Sequence, residues 1–61
     1  MPAIKTTIHY PGNINKTFYH FQNYDNIFKL GYVWFSNVLS CYVETIEVSE
    51  DKSEIWVEPD V

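Results

Sequence analysis

With 61 residues and a mass of 7.2 kDa, the chain has room for one small domain, expected to span 1–61, and none for a two-domain enzyme, an α/β barrel or a full dinucleotide fold. Hydrophobic residues make up 46% and aromatics 18%, which excludes a disordered or low-complexity chain. Four lysines, no arginine and eight acids give a net charge of −4, so direct binding of nucleic acid or of an anionic membrane surface is not expected.

In chain order, Ile4–Tyr10 alternates Ile4, Thr6, Ile8 and Tyr10 against Lys5, Thr7 and His9, the pattern of a strand. Pro11-Gly12-Asn13 is a turn tripeptide, and 14–22 resumes the alternation, so the first 22 residues read as a β-hairpin. Asn23 fits a helix N-cap with Asp25 in the first turn. On a helical wheel Tyr24, Ile27, Phe28, Gly31, Trp34, Phe35 and Val38 share one sector roughly 120° wide, with Asp25, Asn26, Lys29, Ser36 and Asn37 opposite. That separation predicts a helix near 24–37, although Tyr32-Val33-Trp34-Phe35 is strongly β-prone.

Residues 39–48 predict a long strand whose apolar side switches between Val43 and Ile46, as at a bulge. A polar turn over 49–53 leads to a last short strand over 54–58, stopped by Pro59. The expected fold is α+β: a ββαββ order with one helix packed on a four-stranded antiparallel sheet, its strands near 3–10, 15–22, 40–48 and 54–58. The expected core is Ile8, Ile27, Phe28, Gly31, Trp34, Phe35, Val43 and Ile55.

One helix covers one face of such a sheet, yet large apolar residues fall on both faces. Single exposed tyrosines or tryptophans need no special reason, but this many point to a patch buried by a second chain. A homodimer is expected, through the uncovered sheet face or through Leu30, Tyr32 and Val33 on the outer side of the helix.

Catalytic and metal chemistry find little support. His9 and His20 fall on the order of 15 Å apart along a tight hairpin, and neither C-x-x-C nor H-x-x-x-H spacing is present. Cys41 lies mid-strand among apolar neighbours, more like an inert thiol than a low-pKa nucleophile. Glu44 and Glu54 could face each other on neighbouring strands, but paired acids make a hydrolase site only inside a cleft. No catalytic residue, cofactor or metal is expected. The lone cysteine, the lack of a charged leader before an apolar run and the lack of a membrane span lead to the expectation of a soluble, cytoplasmic protein.

The charge is uneven. Residues 42–61 carry seven acids against Lys52 alone, a net of −6. Glu44, Glu47, Glu50, Asp51, Glu54 and Glu58 recur through the last hairpin, and rows of carboxylates on a β scaffold resemble the spaced charges of a nucleic-acid backbone. Such a row could occupy a basic groove on another protein, with Tyr42 and Trp56 as aromatic anchors.

An acidic, arginine-free, aromatic-rich chain of 61 residues, with Asn23-Tyr24-Asp25-Asn26 opening one helix between two hairpins, resembles small phage-encoded inhibitors. These are proteins of the anti-CRISPR, anti-defence and uracil-DNA glycosylase inhibitor kind. The resemblance implies a non-catalytic, often dimeric protein that binds and blocks a host enzyme. The alternative expectation is a structural or accessory subunit of a larger assembly, such as a virion component or an antitoxin-like partner.

Overall fold

The computed structural model describes residues 4–20 and 26–61, and most of these lie in strands. β1 (Ile4–Tyr10) and β2 (Ile14–His20) pair antiparallel as the expected amino-terminal hairpin. Its turn holds Gly12 at φ 80° and Asn13 at φ 61°, left-handed values that glycine and asparagine tolerate best. At the other end of the chain, 41–48 and 54–59 form the expected carboxyl-terminal hairpin. Its register slips between Thr45 and Glu47. That slip is the bulge read from the apolar switch, and it lets Val43, Thr45 and Val48 all face the core.

The segment between the hairpins corrects the expectation. The described part of the predicted helix, 26–37, contains a single 3-10 turn, Asn26–Phe28, followed by a strand, β3 (Val33–Ser36). The cap assigned to Asn23, with Tyr24 and Asp25, lies outside the described residues, as do Ala3, Phe21 and Gln22. Two physical reasons override the wheel. Gly31 takes φ 83°, a value incompatible with a right-handed helix. The backbone groups that a helix would satisfy internally go instead to β4 (Cys41–Val48): Gly31 N–H donates to Thr45 O at 2.8 Å, and Thr45 N–H to Tyr32 O at 3.1 Å. From there Val33 pairs with Glu44, Trp34 with Val43, Phe35 with Tyr42 and Ser36 with Cys41. The β-prone run wins because β4 offers an edge for it to pair with.

Among the described residues the fold is therefore nearly all β rather than α+β, with five strands rather than four, in the order β2-β1-β5-β4-β3, where β5 is Glu54–Pro59. Nor is the sheet wholly antiparallel, since β1 and β5 run parallel at its centre. This junction is short, pairing Thr7 with Glu54, Ile8 with Ile55 and His9 with Trp56. It is reinforced from the turn before β5, where Ser53 O accepts from Thr7 N–H at 2.9 Å and Lys52 O accepts from the Thr6 hydroxyl at 2.9 Å.

One face of the sheet forms the core: Ile8, Tyr10, Val43, Ile55 and Val57 are buried there, and Phe28 from the 3-10 turn packs on them. Val43 and Ile55 are fully buried, each contributing on the order of 1.5–3 kcal/mol. Of the expected core, Ile27 and Trp34 are only partly buried, while Gly31 and Phe35 are exposed. Phe35 is exposed because strand geometry sends it to the opposite face from Trp34. Thr45, also fully buried, ties the turn to the sheet: its hydroxyl accepts from Trp34 Nε1–H at 3.1 Å and donates to Ile27 O at 2.8 Å.

Candidate functional site

The face opposite the core has no layer of described residues over it. Strand alternation brings to it His9 from β1, Glu54, Trp56 and Glu58 from β5, Tyr42, Glu44 and Glu47 from β4, and Val33 and Phe35 from β3. Phe35 and Tyr42 are cross-strand partners whose rings meet edge to face at 5.3 Å and 82°, and they remain 51% and 58% exposed. An exposed aromatic pair of this kind holds its geometry while leaving most of its area free for a partner.

The acids divide by what they touch. Asp51 builds the turn before β5: its Oδ1 accepts from the Ser53 hydroxyl at 2.7 Å, the Ser49 hydroxyl at 2.9 Å and Ser53 N–H at 3.0 Å. The Ser53 hydroxyl and backbone bonds, then that of Ser49, hold its carboxyl well below the usual value, at about 2. Glu54 is also committed, since its Oε1 lies 2.9 Å from His9 Nε2 across the parallel junction. Glu44, Glu47, Glu50 and Glu58 make no ion pair or side-chain hydrogen bond among the described residues.

Glu44 stands directly opposite Glu58, and not opposite Glu54, which corrects the pairing read from sequence. Like charges opposed on neighbouring strands cost stability. Lysines do not offset this one: Lys5 and Lys16 are on the first hairpin, Lys29 lies before β3, and Lys52 Nζ sits 5.9 Å from the centre of the Phe28 ring. Around Glu44 are therefore Glu58 on one side, Val33 on the other, and Tyr42 two residues back on the same face.

Trp56 takes a different part from that of a free anchor. It is half-buried and lies flat against His9, ring centroids 4.9 Å apart. The expected dimer residues do not share a helix side. Leu30 and Tyr32 precede β3, and Val33 is on the open face; all three are exposed. The helical wheel puts Phe35 in the core, whereas the alternation Val33, Trp34, Phe35 is the signal that places it on the open face.

His9 and His20 lie on opposite faces of the sheet. His20 pairs with Ile4, its Nε2 is 2.8 Å from the Thr6 hydroxyl, and its ring packs between Phe18 and Phe28. Because the Thr6 hydroxyl gives its hydrogen to Lys52 O, His20 Nε2 is the donor in that bond. Cys41 is half-buried at the start of β4. Among the described residues no group of three or more histidine, cysteine or acidic side chains is placed to hold a metal ion, and no helix is long and apolar enough to cross a membrane.

No protein-family model matches the chain, and neither a curated protein nor a solved structure matches it.

Proposed function

We propose that this protein is a non-catalytic binding module, an inhibitor that blocks a nucleic-acid-handling or defence protein by laying its open sheet face into a basic groove. The observation that carries this reading is the opposed pair Glu44 and Glu58, without a cation among the described residues, beside the exposed rings of Phe35 and Tyr42. The arrangement costs stability in the free protein, and a cationic partner would relieve that cost while covering the aromatic area. With four lysines against eight acids, a second copy is a poor source of the cation.

The test is affinity capture with three baits side by side: the native protein, a Glu44→Lys/Glu58→Lys variant and a Tyr42→Ala variant. The reading is supported by a protein that the native bait retains, that both variants lose, and that heparin or duplex DNA displaces. A retained set identical for all three baits would overturn it. Recovery of capsid or toxin chains would favour the accessory-subunit reading instead.

A further inference from the structure

The open face also bears on which cation it receives, an inference that rests on the binding-module reading above. The feature is the exposed Phe35–Tyr42 pair on an unpartnered sheet face. Tyr42 is followed two residues later on the same strand face by Glu44, which is flanked by Val33 and Glu58. A planar ring surface, an apolar side chain and two carboxylates thus lie within neighbouring positions of three strands.

We infer that this surface takes an arginine side chain of the partner protein. An ammonium group needs only charge, and a compact, strongly hydrated lysine gains little from an exposed ring. A guanidinium is flat, weakly hydrated and forked. It can stack on an aromatic face, lay its methylene stem on Val33 and donate paired N–H bonds to carboxylates. Both halves of that recognition are present together here. The chain itself has no arginine, so a second copy cannot supply the group.

The experiment titrates the ¹⁵N-labelled protein with a hexa-arginine and then a hexa-lysine peptide, in about 0.15 M salt so that unspecific attraction is screened. The expected result is shifted amide signals within Val33–Ser36 and around 42–44, with the arginine peptide about tenfold tighter than the lysine peptide. Phe35→Leu/Tyr42→Leu should remove that preference while leaving a weak charge attraction, and Glu44→Gln/Glu58→Gln should weaken both peptides. These side chains lie on the open face, and an unchanged amide dispersion verifies that each variant is folded. Equal affinity for the two peptides, shifts confined to β1 and β2, or an arginine preference that survives loss of both rings would each overturn the inference. If the inference fails while capture still depends on Glu44 and Glu58, the binding-module reading stands alone; if capture fails as well, both fall.

Discussion

His9 lies flat on Trp56 across the parallel junction of the sheet, their ring planes only 14° apart. The same imidazole reaches Glu54 through Nε2 and Asn15 Oδ1 through Nδ1, both at 2.9 Å, so one side chain links β2, β1 and β5. Trp56 accordingly acts on stability first. Trp56→Leu should cost about 1–2 kcal/mol, less than the roughly 3–5 kcal/mol of truncating a fully buried tryptophan to alanine, because the residue is only partly buried and leucine keeps some of its apolar bulk. Urea denaturation measures the loss. Capture of the partner by the folded fraction should be unchanged, in contrast to Tyr42→Ala.

Thr45→Val keeps the shape of the side chain and removes its hydroxyl. Trp34 Nε1–H then loses this acceptor, and Ile27 O loses the bond from the hydroxyl. The expected loss is about 1–3 kcal/mol of unfolding free energy, measured by urea denaturation, the ordinary cost of removing a partner from a buried polar group. The indole N–H resonance of Trp34 should move with it.

Glu58→Lys replaces a repulsion with an attraction opposite Glu44. It should raise stability by about 0.2–1 kcal/mol and at the same time weaken capture of the basic partner. Opposite signs in the two measurements mark a group retained for binding. A variant that is both more stable and equally well captured would remove Glu58 from the interface.

Asp51 sets an acid dependence. Its carboxyl is held at about 2 in the folded state, against an ordinary value of 3.8. A lowered folded value means that its contribution to stability is complete above 3.8 and disappears as the pH falls through about 2. Asp51→Asn should therefore be less stable than the native chain near neutral pH, and the difference should close over that acid window. Paired urea titrations at pH 6, 4 and 2 measure it.

Both hairpins were legible because their information is local. Pro11-Gly12-Asn13 and the polar stretch 49–53 sit between alternating runs, and the switch from Val43 to Ile46 marked the bulge. The middle strand was not legible in the same way, since Ile27, Phe28, Gly31, Trp34 and Phe35 satisfy a helical spacing as well as they satisfy a turn and a strand. What decides between the two is pairing with β4 across the turn 37–40, five to eleven residues away along the chain, and no proline or glycine marks that turn in the sequence. The helical reading also misplaces the site: it puts Phe35, the exposed cross-strand neighbour of Tyr42, in the core, and the stacking of Trp56 on His9 crosses a parallel junction that leaves no local pattern.

That junction also orders the birth of the molecule. β1 can close on β2 as soon as both have been made, but its other neighbour, β5, is the last of the five strands to leave the ribosome. Until then Ile8 has only half of its wall, because Ile55 is still unmade. The pairing that completes the core joins Thr7 to Glu54 and Ile8 to Ile55, and such long-range pairing makes for slow folding relative to a helical chain of this size.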